Sequence, residues 1–254
     1  MQRLSLTFYL GTALEPVAAG IATAIGERLG IPVDFERGAD PAARRAALDR
    51  PAPGIAWLCG LETVLRQDDG RLAASIVGAP VFPGHSEPVY DSVIVAAAGW
   101  GGADLSDLAG ATLAINERDS WSGHHALRAH LLRRGLGQPL FGRMVVTGSH
   151  EASIDALIRG EADCASIDET VWDARVARDP RAAMLRPLDR TDPSPAPPFS
   201  IVHGLDTGLS AAIGDALPSV TVSGLASIAP ASDADYAVFR DSLAASRSLA
   251  WRSP

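Results

Sequence analysis

Short apolar runs alternate along this chain with longer segments in which apolar and polar residues recur at helical spacing. The runs at 3–10, 54–58 and 90–97 predict strands, because they are short and rich in β-branched and aromatic residues. Gly30 and Gly160 follow amphipathic segments and mark predicted helix ends. Strands that alternate with helices at this spacing indicate βαβ units and a mostly parallel sheet.

The alternation repeats in the middle of the chain, and a proline-rich tract at 192–198 separates that part from a last strand at 199–202. We therefore predict an α/β fold with two mostly parallel sheets in two lobes. The first lobe comprises residues 1–92 plus 199–254, and the second comprises residues 93–198. The chain would cross between the lobes near 90–97 and 189–202.

Composition narrows the possible functions. The 254 residues are 47% apolar and 20% charged, which is typical of a globular protein with a packed core. All 22 basic residues are arginine and the net charge is −8, so neither a Schiff-base lysine nor a P-loop lysine is possible. An acidic chain without a basic tract is also a poor candidate for binding nucleic acid. We predict no nucleic-acid partner.

The chain has no apolar run of the length that a membrane span requires, the longest being residues 93–98. Its N-terminal segment alternates like a strand, and only Arg3 could serve as the charged start of a signal peptide. We therefore expect a cytoplasmic protein, or a periplasmic one if the true start lies upstream of Met1. Cys59 and Cys164 are too few for a disulfide framework, and we predict two buried, reduced thiols. We expect a monomer or a weak dimer.

The strongest candidate site follows a predicted strand, at residues 116–124. Ser120, Ser122 and Gly123 would open the next helix, where hydroxyls, main-chain amides and the helix dipole together favour an anion. We include the flanking Asn116, Trp121 and His124 in this candidate ligand-binding set. An ordinary serine N-cap explains the same pattern, and the sequence leaves both interpretations open.

Two further junctions of this kind follow along the chain. Ser149 and His150 stand where the next strand leads into a helix, and Asp168 stands at the third junction, where its carboxylate could face a cationic group of a ligand. Carboxyl ends of strands in open α/β sheets are where ligands bind, which favours a shared site. Cys59 occupies the equivalent junction in the first lobe. We include it in the candidate ligand-binding set together with Tyr9, which stands at the end of the first strand.

No catalytic or cofactor motif stands out. The chain lacks the G-x-S-x-G, H-E-x-x-H and G-x-G-x-x-G patterns. His124, His125 and His130 share a predicted helix, but none are spaced i, i+4, so a helical metal pair is not expected. A nucleophile–base pair of Cys59 with a histidine would need a contact that nothing in the sequence indicates. We predict no catalytic residues, no metal and no cofactor.

The order of these motifs resembles the phosphonate-binding proteins of ABC importers, over residues 54–203 and most closely over 89–170. The motifs that carry the resemblance are Tyr90-Asp91-Ser92-Val93-Ile94-Val95, Asp107-Leu108-Ala109-Gly110, Ser120-x-Ser122-Gly123 and Gly148-Ser149-His150-Glu151, with Ile55-Ala56-Trp57 and Gly160-Glu161-Ala162-Asp163 in register. The resemblance implies a type 2 periplasmic-binding fold, whose two lobes close on a ligand, and it nominates Ser120, Ser122, Gly123, His150 and Tyr90 as ligand-binding residues.

Three positions depart from the family pattern. Trp121 stands where the family usually has threonine, Pro41 or Ala42 stands in place of a tyrosine, and Cys59-Gly60 replaces Gly-Pro or Gly-Asn. The ligand could therefore be another small anion or an aromatic compound. We expect the Trp121 indole to form a wall of the ligand site, while packing within its own lobe remains the alternative.

Two functions follow from the sequence. The first is a solute-binding protein for a small, phosphonate-like or related anion, with an ABC permease as its partner in transport. The second is a cytoplasmic enzyme of small-molecule or cofactor metabolism on the same fold. The lack of a catalytic set favours the first, and the lack of an export signal favours the second.

Overall fold

The computed structural model describes residues 3–36, 48–49, 52–136 and 140–246. The predicted helix at 41–49 and the departure at Pro41 or Ala42 lie mostly outside these ranges. The strands are β1 Leu4–Tyr9, β2 Val33–Glu36, β3 Gly54–Leu58, β4 Ala74–Val81, β5 Val89–Tyr90, β6 Ser92–Ala96, β7 Thr112–Ile115, β8 Arg143–Val146, β9 Cys164–Asp168, β10 Arg186–Arg190, β11 Ser194–Pro195, β12 Phe199–Val202 and β13 Ser227–Ala229.

The α-helices are α1 Glu15–Leu29, α2 Gly60–Asp68, α3 Ala126–Arg133, α4 His150–Arg159, α5 Glu169–Arg178, α6 Thr207–Ala216 and α7 Ala237–Ser246. A π-helical turn over Trp121–His125 leads directly into α3. Gly30 and Gly160 end α1 and α4 in the left-handed conformation, as the sequence predicts, because glycine adopts a positive φ without strain.

The chain divides into two compact units. The first unit comprises Met1–Tyr90 and Pro195–Phe239, and the second comprises Asp91–Ser194 together with the chain from Arg240 onward. The boundaries between the units fall at Tyr90/Asp91, Ser194/Pro195 and Phe239/Arg240, and the lobe bounds given in the sequence analysis stay a prediction. Residues 240–246, which belong to the segment that the sequence analysis assigns to the first lobe, group with the second unit.

The first unit is built on a six-stranded sheet in the order β13-β4-β12-β3-β1-β2. Trp57 in β3 lies between Phe8 and Phe199, with ring centroids 5.5 and 4.7 Å away. The Trp57 indole N–H donates to the Pro197 carbonyl at 3.0 Å, so this fully buried side chain keeps its hydrogen bond. This aromatic row crosses three neighbouring strands and fixes β12 in the sheet.

The second unit carries a five-stranded sheet in the order β10-β6-β9-β7-β8. Both of its faces are buried: Val93 and Val95 of β6 pack with residues of α4 and α5, and Ile94 packs with Leu127 and Leu131 of α3. Burial on both faces accounts for the continuous apolar run of β6. Cys164 belongs to the core on the α3 side as a buried free thiol, whereas Cys59 is only half-buried, which corrects one of the two cysteine predictions.

Both sheets are mixed rather than mostly parallel, which corrects one part of the fold prediction. β1 runs parallel to β2 and β3, and β7 runs parallel to β8 and β9. In contrast, β12 is antiparallel to β3 and β4, and β6 is antiparallel to β9 and β10. The strands β6 and β12 each enter a unit from the other one, so no βαβ crossover fixes their direction.

An ion cluster joins the two ends of the continuous part of the second unit. One guanidinium nitrogen of Arg190 lies 2.8 Å from an Asp91 carboxylate oxygen and 3.3 Å from one of Glu169. The Glu169 main-chain N–H donates to the Asp91 carbonyl at 3.2 Å. Glu169 opens α5 directly after Asp168, so this cluster also fixes the end of β9 where the third candidate junction lies.

Candidate functional site

The three candidate junctions of the second unit lie at one edge of its sheet. β8 and β9 flank β7 in parallel, so the carboxyl ends of all three strands point the same way. Main-chain bonds tie the first two junctions together: Gly148 N–H donates to the Asn116 carbonyl, and Thr147 N–H to the Ile115 carbonyl, both at 2.8 Å. Open α/β sheets bind ligands at this edge.

The helix that follows β7 begins with the π turn, and Ser120 is its N-cap. The Ser120 hydroxyl oxygen accepts from the Gly123 N–H at 3.1 Å, and the Ser120 carbonyl accepts from the His125 N–H at 3.1 Å. Accepting the first bond leaves the hydroxyl proton of Ser120 available to a ligand oxygen. Single π turns inside helices occur frequently at functional sites. The N-cap and the anion-site interpretations of Ser120 are therefore compatible.

Ser122 and His150 form a buried pair. The Ser122 hydroxyl oxygen lies 3.0 Å from His150 Nε2, and the two residues are only 4% and 7% exposed. Ser166, in the middle of β9, donates its hydroxyl to the Ser122 carbonyl at 2.6 Å and so holds the π turn against the sheet. The sequence analysis missed Ser166, and a lone hydroxyl inside an apolar strand is the signal that could have found it.

Burial controls the protonation of His150. Desolvation lowers the pKa of its imidazole, while the nearby Asp168 and Glu151 carboxylates and the Ser166 carbonyl raise it by smaller amounts. The net effect is a pKa below the ordinary value, so the ring is neutral at neutral pH. A neutral imidazole beside a serine hydroxyl can either accept or donate the hydrogen bond between them.

Gly123 lies directly against the side chain of Asn116. A Cβ atom at Gly123 would come within 1.8 Å of Asn116 Oδ1 and 3.1 Å of His150 Cε1. Within the described part of the chain, Asn116 Oδ1 is buried and has no hydrogen-bond partner. The absence of a side chain at residue 123 thus allows the β7 loop, the π turn and the start of α4 to meet.

Two more histidines lie in the π turn, of which His124 is buried and His125 is half-buried. His124 Nδ1 donates to the Arg118 carbonyl at 2.7 Å, and the rings of His124 and His125 are 4.6 Å apart. Desolvation lowers both pKa values, and that of His125 falls to about 3. Both rings are therefore neutral at neutral pH, so neither supplies a positive charge to the site there.

The other nominated residues of the second unit also lie at this edge. Trp121 is 4% exposed. The Ser149 hydroxyl accepts from the Ala152 N–H at 3.0 Å and caps α4, and one Asp168 carboxylate oxygen accepts from the Thr170 N–H at 2.9 Å and caps α5. Ser149 and Asp168 thus have structural roles as N-caps, and their contact with a ligand stays a prediction.

The remaining nominated residues belong to the first unit. Tyr9 is half-buried at the end of β1, and Cys59 is half-buried at the start of α2, two positions at the ends of neighbouring parallel strands. Tyr90 is buried, with 2% exposure, at the end of β5. Their part in ligand binding stays a prediction.

The part of the chain that the structure describes contains no group of three or more metal-ligating side chains placed to hold an ion. Within the same ranges, no helix combines the length and the apolar character needed to span a membrane.

Comparison with known proteins identifies related sequences and folds. A family model described as "ABC transporter, phosphonate, periplasmic substrate-binding protein" matches residues 7–241. No curated protein matches the chain. Among solved structures, a binding protein component of an ABC phosphonate transporter from Pseudomonas aeruginosa is 15% identical with a TM-score of 0.80, and the match covers 96% of this chain and 86% of that one.

Two further structures show the same fold. PhnD1 from Prochlorococcus marinus, in complex with methylphosphonate, is 15% identical with a TM-score of 0.80, over 98% of this chain and 99% of that one. A Xanthomonas citri protein bound to ATP is 16% identical with a TM-score of 0.69, over 98% of this chain and all of the other. The fold is therefore the type 2 periplasmic-binding fold, as the sequence analysis predicts.

Proposed function

Because this chain belongs to the family of phosphonate-binding periplasmic proteins of ABC transporters, and is therefore a solute-binding protein, we propose that its ligand is a small oxyanion of the phosphonate class. The observation that carries the proposal is the buried Ser122–His150 pair at the start of a helix, beside the N-cap Ser120. Hydroxyl donors and helix amides at one point suit a tetrahedral oxyanion without any lysine.

The substituent on the phosphorus is proposed to be flat. Trp121 separates the two serines, and an indole offers a face on which a ring or a cation can stack. Asp168, whose carboxylate lies near His150, would favour a ligand with a cationic group. Because its ring can stack on the Trp121 indole, phenylphosphonate is proposed to bind more tightly than methylphosphonate or ethylphosphonate.

The partner and the location are proposed from family membership alone. Phosphonate-binding proteins of this family serve ABC transporters, so an ABC permease is the proposed partner. The same membership supports a periplasmic location.

Native mass spectrometry of the purified protein, followed by calorimetric titration, tests the proposed function. A co-purified phosphonate or phosphate ester, or binding of phenylphosphonate, is the expected result. Recovery of the anion unchanged after incubation separates binding from the alternative of an enzyme. If none of phenylphosphonate, methylphosphonate, phosphate and benzenesulfonate binds, the proposal is wrong.

Replacing Ser120 and Ser122 together by alanine should weaken phenylphosphonate binding at least about tenfold. Each hydroxyl bonded to a charged group contributes roughly 1–3 kcal/mol, and 1.4 kcal/mol corresponds to one decade of affinity. Calorimetric titration of the double variant measures the loss. Ser75→Ala, which removes an exposed hydroxyl from the first unit, is the matched control and should bind like the parent protein. If the double variant and Ser75→Ala bound phenylphosphonate with equal affinity, Ser120 and Ser122 would not form the ligand site.

Substitutions of Trp121 test the proposed wall. Trp121→Phe should retain most of the phenylphosphonate affinity, whereas Trp121→Ala should lose it, because stacking contributes about 0.5–1.5 kcal/mol beyond burial. Ligand binding should also quench tryptophan fluorescence in the parent protein and less so in both variants. Full phenylphosphonate affinity in a folded Trp121→Ala protein, or methylphosphonate binding as tight as that of phenylphosphonate, would show that Trp121 only packs within its unit.

A further inference from the structure

We propose that binding of the anion is coupled to the uptake of one proton by His150. The proton comes from solvent, and the Ser122 hydroxyl couples the two events because it changes its hydrogen-bond partner when the anion binds. The inference rests on the proposed function, and it concerns how the same site is regulated. It follows from the contact of the Ser122 hydroxyl oxygen with the buried His150 Nε2, which lies 3.0 Å away.

The argument begins with the hydrogen bond in the ligand-free protein. The Ser166 carbonyl favours a proton on the His150 ring, and Nε2 faces the Ser122 hydroxyl, while Nδ1 has no hydrogen-bond partner among the described residues. We therefore assign the neutral ring the tautomer with its proton on Nδ1. In that tautomer Nε2 is an acceptor, and the Ser122 hydroxyl donates to it. The only proton of this hydroxyl is thereby directed at His150 and away from a ligand.

An incoming oxyanion competes for that proton. When the Ser122 hydroxyl turns to donate to a ligand oxygen, Nε2 loses its donor, and two lone pairs face each other in a buried setting. Addition of a proton from solvent to Nε2 restores the bond, now with Nε2–H donating to the Ser122 oxygen. The step forms one N–H bond, consumes one solvent proton and leaves an imidazolium next to the anion.

The charged groups around His150 are compatible with protonation of its ring when the anion binds. Asp168, at the end of β9, and Glu151, in the first turn of α4, both favour the protonated ring, while burial opposes it. The π turn contacts the ring through the uncharged Ser122, and the Asn116 side chain, which follows β7 and lies against Gly123 of that turn, is also uncharged. A bound anion adds negative charge to this set, so it shifts the balance toward protonation.

Benzenesulfonate and phenylphosphonate form a matched pair of probes. They share the ring, but the sulfonate keeps a single negative charge over the whole neutral range, so any proton taken up with it is bound by the protein. Calorimetric titration at one pH in two buffers of different ionisation enthalpy gives the number of protons taken up. The expected result is an uptake approaching one proton, with affinity rising up to tenfold for each unit that the pH falls.

His150→Gln supplies the test of the residue. Its amide can donate to the Ser122 oxygen but does not titrate, so we expect no proton uptake and no pH dependence for benzenesulfonate. His203→Gln is the matched control, because His203 Nε2 lies at the same 3.0 Å from a serine hydroxyl, that of Ser75, on the exposed surface of the first unit. This control should take up the proton like the parent protein.

The outcomes are distinct. Binding of either anion without proton uptake, or equal uptake by the parent protein and His150→Gln, would overturn the coupling and leave the proposed function in place. A ³¹P shift showing that the bound phosphonate carries the proton, with His150 neutral in its ring spectrum, would overturn it as well. Failure of phenylphosphonate, methylphosphonate, phosphate and benzenesulfonate alike to bind the parent protein would overturn the proposed function and the coupling together.

Discussion

Alanine in place of Gly123 is expected to weaken the binding of phenylphosphonate at least about tenfold and to destabilise the second unit. The new Cβ would lie 1.8 Å from Asn116 Oδ1 and 2.7 Å from Asn116 Cγ, far inside van der Waals contact. The Asn116 side chain must then rotate, or the β7 loop or the π turn must move, and overpacking of this kind costs about 1–3 kcal/mol. A shift of the π turn also displaces both serines, so we expect affinity to fall at least about tenfold.

Urea denaturation and calorimetric titration measure the two effects. Gly99→Ala is the matched control, because nothing lies within 4 Å of a Cβ at that position in the same unit. The double variant Gly123→Ala with Asn116→Ala removes the clashing amide and should recover part of the lost stability. A Gly123→Ala protein with unchanged stability and affinity would contradict the close contact between residue 123 and the Asn116 side chain.

Acidification from pH 6.5 to 4.5 should destabilise the protein steeply. His124, His125 and His150 have pKa values below the ordinary value because they are buried, and that of His125 is about 3. In this window the unfolded chain binds protons that the folded chain does not, so stability falls as the pH falls. Each histidine that stays neutral while folded contributes up to about 1.4 kcal/mol per pH unit.

Urea midpoints at intervals from pH 7.5 to 4.5 test this expectation. Above about pH 5.5 the carboxylates stay ionised in the folded and the unfolded chain, so the histidines dominate the change over that part of the range. His125→Gln and His150→Gln should each flatten the pH dependence, whereas His203→Gln, at the exposed surface, should not. A midpoint that is constant over this range would contradict the assignment of neutral, buried rings.

Local signals in the sequence predicted the elements well. Gly30 and Gly160 end helices because their positive φ is favourable for glycine, and Asp168 caps a helix through the Thr170 N–H. The antiparallel direction of β6 and β12 could not be predicted from such local signals. The alternation of strands and helices implies parallel strands only where a helix connects neighbours, and β6 and β12 enter their sheets without such a helix.

The candidate site was predicted in its parts but not in its contacts. Ser120, Ser122 and His150 were nominated by motif and resemblance, yet the bond between Ser122 and His150 joins residues that are 28 positions apart. Ser166 and the steric role of Asn116 depend on the pairing of β9 with β7 and on the π turn, which the spacing of apolar residues does not encode.

The position of β12 determines the order in which the chain can fold during synthesis. β3 and β4 follow each other in sequence but are separated in the sheet by β12, whose Phe199 is paired with both Trp57 and Gly78. Until residue 202 has left the ribosome, the first sheet has a gap one strand wide between two unpaired edges. The second unit's strands, β6 to β10, are all made earlier, so the unit that begins later in the chain can complete its sheet first.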